Sequence, residues 1–122
     1  MATVLVVEDN PMNMELTVDL LESFGYEVEQ AEDGEKALDI VNEINDLDLI
    51  LLDIQLPRMD GLEVLKSLKK SDNSKHIPVI ALTAHAMRGD EEKFSNVGCE
   101  GYISKPIDIN EFKEIVTCNI NS

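Results

Sequence analysis

Basic residues are scarce: ten Lys and Arg stand against 25 Asp and Glu, for a net charge of −15. Direct binding to DNA or RNA is driven by neutralising phosphates, and recruitment to anionic lipid also requires cations, so this balance argues against both. Most of the acidity reads as solubility, with a clustered subset free to hold a divalent cation. Long apolar runs are missing as well. None approaches the roughly 20 residues that span a bilayer, and Met1-Ala2-Thr3 has no basic n-region, so a soluble, cytoplasmic protein is expected. The two cysteines, Cys99 and Cys118, show neither metal-ligand spacing nor a disulfide framework, and His76 and His85 are the only histidines. A His/Cys metal site is therefore disfavoured, and both thiols are expected to be reduced and structural. His76 reads as a loop residue without a chemical role. Repeats, linkers and low-complexity segments are also absent. What remains is 122 residues with 43% hydrophobic and 29% charged content, the balance of one globular domain spanning 1–122.

The chain is organised around Leu47-Asp48-Leu49-Ile50-Leu51-Leu52-Asp53, closed by Pro57 and Asp60-Gly61. A short apolar run bounded by turn residues reads as a strand buried on both faces, with Asp53 at its carboxyl end. Val4 to Val7 forms an earlier strand of the same kind, ending at Glu8-Asp9. Asn10 and Pro11 follow as N-cap and first helical residue. Leu16, Leu20, Leu21 and Phe24 give the stripe of the first helix, stopped by Gly25. Residues 26–29 alternate as a half-exposed edge strand, and Asp33-Gly34 reads as a turn. Ala37, Leu38, Val41 and Ile44 mark a second helix; Gly61, Val64, Leu65 and Leu68 mark a third. Residues 71–74 read as a polar loop. Pro78 to Leu82 is a third apolar strand, ending at Thr83. Residues 84–98 have helical propensity but a sparse stripe of Met87, Phe94 and Val97, so a loosely held helix is expected. Gly101 to Ser104 suits a second edge strand ending at Lys105-Pro106. Asp108 and Glu111 resemble a capping box for a last helix whose stripe is Ile109, Phe112, Ile115 and Val116.

Five strands alternating with five helices imply an α/β fold, a doubly wound parallel five-stranded sheet with right-handed crossovers. The apolar strands one, three and four belong in the centre, and strands two and five at the edges. This agrees with the flavodoxin-like order 2-1-3-4-5, although pattern alone leaves the order of the central three open. The carboxyl ends of the strands then collect Glu8, Asp9, Asp53, Thr83 and Lys105. Three carboxylates in one crevice repel, and a hard cation with oxygen ligands relieves the repulsion. Mg²⁺ suits a site with few protein ligands and several waters. An ionised Asp can act as a nucleophile toward phosphorus, with a cation, an ammonium and a hydroxyl offsetting charge on the transferring group.

Val7-Glu8-Asp9-Asn10, Leu52-Asp53-Ile54-Gln55-Leu56-Pro57 with Met59-Asp60-Gly61, Ala81-Leu82-Thr83-Ala84 and Lys105-Pro106 resemble the motifs of two-component response-regulator receiver domains, in order and over essentially the whole chain. His76-Ile77-Pro78 and residues 86–92 are similar to single-domain, CheY-like receivers of the DivK type and to receiver segments of hybrid kinases. The resemblance implies that Asp53 accepts a phosphoryl group from a phosphohistidine on a sensor histidine kinase or histidine phosphotransfer protein. It also implies Mg²⁺, replaceable by Mn²⁺, held by Asp9, Asp53, the Gln55 backbone carbonyl and, mainly through water, Glu8. Thr83 and Tyr102 match the switch pair, Lys105 the phosphate-contacting lysine, and Lys105–Pro106 a cis peptide bond. By the same resemblance, Gln55 and His85 occupy positions expected to tune phosphoryl lifetime. Glu8 stands where many relatives have Asp, which leaves metal binding intact but alters its geometry. The expected protein is a monomeric signalling module, not an enzyme beyond its own phosphorylation and dephosphorylation. With no output domain attached, it would signal through a protein target at the face of the fourth helix, fifth strand and fifth helix.

Rival readings fare worse. Phosphatases with an Asp nucleophile usually place a second Asp two residues on as general acid, where this chain has Gln55. Nucleotide binding needs glycines that Glu8-Asp9-Asn10-Pro11 lacks. A receiver-like module that no longer takes phosphate predicts loss of an acid, Thr83 or Lys105, and all are present.

Overall fold

Strand alternation on two buried faces builds the centre of the molecule. The computed structural model describes residues 2–44, 46–53, 61–72, 74–83, 98–104 and 108–121. Five strands, β1 (Thr3–Val7), β2 (Glu27–Ala31), β3 (Leu49–Asp53), β4 (Val79–Thr83) and β5 (Gly101–Ser104), form one parallel sheet in the order β2-β1-β3-β4-β5. Because side chains alternate along a strand, Leu5, Val7, Ile50 and Leu52 enter one core with helices α2 (Gly34–Glu43) and α3 (Gly61–Lys70). Val4, Val6, Leu49 and Leu51 enter another with α1 (Pro11–Ser23) and the C-terminal helix (Ile109–Asn121). All eight strand side chains are fully buried, and each contributes roughly 1.5–3 kcal/mol relative to exposure. The open order of the central strands is thereby settled, with β3 between β1 and β4.

Local signals explain the helix ends. Asn10 Oδ1 accepts from the backbone N–H of Met12 at 2.9 Å and of Asn13 at 3.1 Å, and Pro11 fills the first helical position. At the other end Gly25 takes φ +93°; its N–H donates to Glu22 O, and the Tyr26 N–H reaches Leu21 O. That pair of bonds is a Schellman stop, which favours glycine because φ is positive. Asp108 Oδ1 accepts from the Glu111 N–H at 3.1 Å, as the capping-box reading expects.

The structure departs from the sequence expectations in four places. Leu16 is 52% exposed, and the buried stripe of α1 is Met14, Thr17, Val18 and Leu21. The helix has apolar residues on both sides, and the side facing β1 wins. Ile109 is 56% exposed, because it stands in the first turn before the C-terminal helix reaches the sheet; Phe112 and Val116 are fully buried. Asp33-Gly34 is the start of α2 rather than a free turn, with Asp33 Oδ1 accepting from the Lys36 N–H at 2.8 Å. Cys118 is exposed on the C-terminal helix and so is not a structural core thiol, whereas Cys99 is half-buried. Residues 84–97 of the helix expected over 84–98 lie outside the described residues.

Candidate functional site

Parallel register carries the strand ends to one rim. Val7 pairs with Leu52, Asp53 with Leu82 and Thr83 with Ser104, so β1, β3, β4 and β5 stop within about one residue of a common line. Glu8 is the residue that follows β1 across from Asp53. Its backbone N–H donates to Ala31 O at 3.0 Å, which extends the ladder to β2 by one more bond. Asp9 then stands between that bond and the α1 cap at Asn10. The two acids of the first loop are thus fixed on both sides by hydrogen bonds of the main chain.

The result is a convergence of three carboxylates. One oxygen each from Glu8, Asp9 and Asp53 lies within 4.8 Å of the others. Glu8 and Asp53 are 2% and 3% exposed, while Asp9 faces solvent. At such a separation the buried Glu8 and Asp53 carboxylates repel each other when no cation lies between them. A divalent cation with oxygen ligands and an open, wet side at Asp9 suits this donor set, since hard carboxylate oxygens select Mg²⁺ or Ca²⁺ over softer metals.

The remaining candidates fall into two groups. Thr83 is the last residue of β4, and Tyr102 is a half-buried residue of β5 that pairs with Ala81 and packs against the core under α2 and α3. Gln55, His85, Lys105 and the Lys105–Pro106 bond lie outside the described residues. His76 is exposed in the turn before β4, as its reading as a loop residue expects. Two contributors to the rim went unread in the sequence. Asn10 was legible as a cap but not as the fastener of Asp9, and the Ala31 carbonyl is visible only once β2 is known to lie beside β1.

Comparison with known proteins follows the same line. The family model described as response regulator receiver domain matches residues 4–117. The polar-differentiation response regulator DivK of Brucella anthropi is 54% identical over 114 residues, covering 93% of this chain and 92% of that protein. DivK of Brucella ovis is 53% identical over the same share of each. Among solved structures, the receiver domain of the sensor histidine kinase PA1611 from Pseudomonas aeruginosa, which has a magnesium ion coordinated in its active site cleft, superposes with a TM-score of 0.91 at 35% identity. That match covers 99% of this chain and 98% of the other. The Vibrio cholerae chemotaxis protein CheY4 superposes with a TM-score of 0.91 at 29% identity, over 97% and 98% of the two chains.

Proposed function

The chain belongs to the response regulator receiver domain family, and from that premise we propose that Asp53 is the phosphoacceptor of a two-component phosphorelay. The observation that carries the reading is the gathering of Glu8, Asp9 and Asp53 within 4.8 Å, with Asp53 alone on the central strand. A carboxylate oxygen of Asp53 attacks the phosphorus of a phosphohistidine on a sensor histidine kinase or a histidine phosphotransfer protein. The new O–P bond forms as the N–P bond breaks, and the donor imidazole leaves with the electron pair. Burial of Asp53 keeps bulk water from competing during transfer. Glu8, Asp9, Asp53 and the Gln55 carbonyl would hold Mg²⁺, or Mn²⁺ in its place, which when bound neutralises charge on the phosphoryl oxygens. The magnesium in the PA1611 receiver domain supports this assignment. Lys105 is the ammonium that pairs with the phosphoryl group, and Thr83 offers a hydroxyl to one of its oxygens. Hydrolysis of the acyl phosphate at the same site returns the carboxylate, so the module times its own signal.

Thr83 and Tyr102 would form the switch that relays phosphorylation to a protein target at the face of residues 84–98, β5 and the C-terminal helix. A cis Lys105–Pro106 bond would aim the lysine at the rim. The domain spans 1–122 and acts as a cytoplasmic monomer. The test is mass spectrometry after incubation with acetyl phosphate and Mg²⁺. Wild type gains one acid-labile phosphoryl group, and Asp53→Asn or excess EDTA abolishes it. Undiminished labelling of Asp53→Asn would overturn the assignment.

A further inference from the structure

Charge is divided unevenly along this chain. Residues 1–48 hold fourteen acids and a single base, Lys36, so all but two of the fifteen net negative charges belong to β1, α1, β2, α2 and their loops. In space these elements form one edge of the molecule, because β2 is the outermost strand and β1 its neighbour. The other side of the sheet, from β3 onward, is close to neutral.

That acidic edge contains a cleft of about 490 Å³. α1 supplies one wall, the end of β2 and the first turn of α2 the other. The exposed Glu15, Asp19 and Glu32, together with Glu8 and Asp9, outweigh the exposed Lys36 in its lining, and the mostly buried Met14 and Val18 contribute only an apolar edge. Met12, 79% exposed, and Leu16, 52% exposed, stand on the same helix but outside its lining.

We propose that this cleft docks a basic segment of a protein partner, in which an arginine or lysine flanks an aliphatic side chain, and that docking there opposes divalent-cation binding at the rim. A hydrated inorganic ion makes no use of Met14 and Val18. A purely apolar segment would strip water from Glu15, Asp19 and Glu32 without replacing their partners, which is costly. An arginine or lysine answers both surfaces, because its methylene stem lies on apolar residues while its head pairs with carboxylates. A cleft of this volume holds one or two such side chains rather than a whole helix. The excess charge of the edge steers a cationic segment toward it and raises its rate of encounter.

The opposition to cation binding arises because Glu8 and Asp9 belong to both the cleft and the carboxylate cluster. A divalent ion there removes negative potential that the basic segment needs, and coupling of this kind is reciprocal. This second half rests on the cation-binding reading above; the docking site does not.

A synthetic amphipathic peptide of arginine and leucine, titrated into the isotopically labelled chain at low salt without metal, tests both halves. Saturable amide shifts confined to residues 8–36 are expected. The exposed pair Glu15→Lys and Asp19→Lys should weaken binding about ten-fold or more. Asp72→Lys with Glu111→Lys, an equal charge change outside the edge, should leave it within about two-fold. Shifts spread over acids all around the molecule, equal weakening by the two variants, or equal affinity for spermine would each overturn the docking site. Millimolar Mg²⁺ should weaken the peptide several-fold. Mg²⁺ binding is measured separately without peptide: if Mg²⁺ binds but leaves peptide affinity unchanged, the opposition is wrong. If Mg²⁺ does not bind at all, the cation reading fails while confined peptide shifts still support the cleft.

Discussion

Single residues carry the sharpest contrasts. Cys99 and Cys118 are both free, yet their surroundings differ. Cys99 is half-buried, with its Sγ 3.0 Å from Gly101 O and 3.3 Å from Val79 O, and burial pushes its thiol above the ordinary value of 9.0, with Glu100 adding to the rise. The thiolate is the reactive form, so at pH 8 a thiol-specific chromogenic reagent should modify Cys118 at least about ten-fold faster than Cys99. The same rise sets a pH dependence. Above pH 9.0 the unfolded chain loses the thiol proton while the folded protein keeps it, so Cys99's contribution to stability is complete below that pH and is lost as pH climbs through the folded value. Denaturant titrations from pH 8 to 10 should show stability falling, and Cys99→Ala should flatten that fall. Other residues were illegible for a plainer reason. Lys69 Nζ donates to Ile77 O at 3.0 Å and pairs with Glu100 at 3.3 Å, while Glu100 Oε2 accepts from the Val79 N–H at 2.8 Å. Ser74, fully buried, donates to Leu68 O at 2.6 Å. None of these pairings has a spacing that announces it, since partners such as Glu100 and Val79 meet only after β4 and β5 have paired.

Among the elements, α1 links stability to the site. Its N-cap closes the loop that presents Glu8 and Asp9, so Asn10→Ala should cost about 1 kcal/mol and lower Tm by about 3–6 °C. Calorimetry checks the loss, and Mg²⁺ affinity should fall with it, because the loop is held less firmly. Asn10→Asp should restore most of the stability, since Asp caps as well as Asn. The ends of α1 were legible because caps are local: Asn10-Pro11 at one end and Gly25 at the other need no partner beyond the turn itself. The face that α1 buries was not legible. Leu16, Leu20 and Leu21 are stronger hydrophobes than Thr17, but Met14, Thr17, Val18 and Leu21 point at the sheet, and the direction of entry from Asn10 decides which side that is. The aromatic contacts beyond α1 follow from that choice, with the Phe24 and Phe112 rings 6.2 Å apart and the Lys113 ammonium 5.5 Å from the Phe24 ring centre.

For the whole molecule, the cation binding proposed for the rim would be linked to folding. A ligand that binds only the folded state stabilises it by mass action, about 2.7 kcal/mol at one hundred times its dissociation constant. Millimolar Mg²⁺ should therefore raise the Tm of the wild type in a thermal scan, and EDTA should reverse the gain. Asp9→Asn should lose most of it. Asp53→Asn should be more stable than wild type without metal, because it relieves repulsion with Glu8, and should gain little from Mg²⁺. A variant less stable than wild type in EDTA would argue that the carboxylates are not in mutual conflict.

By itself the sequence determined the alternation of strands and helices, the three strands with no polar position and the acid or hydroxyl at each of their ends. Those properties are local or periodic: a strand buried on both faces must be apolar throughout, and a helix must be capped where it begins. Tertiary structure decided the rest. It placed β3 between β1 and β4 and brought oxygens of Glu8, Asp9 and Asp53 within 4.8 Å. It also turned Leu16 out and Met14 in, and folded the acidic first 48 residues onto one edge that holds a cleft. Each of these depends on which distant segments lie side by side, a choice made by the summed burial of two cores rather than by any one stretch of residues.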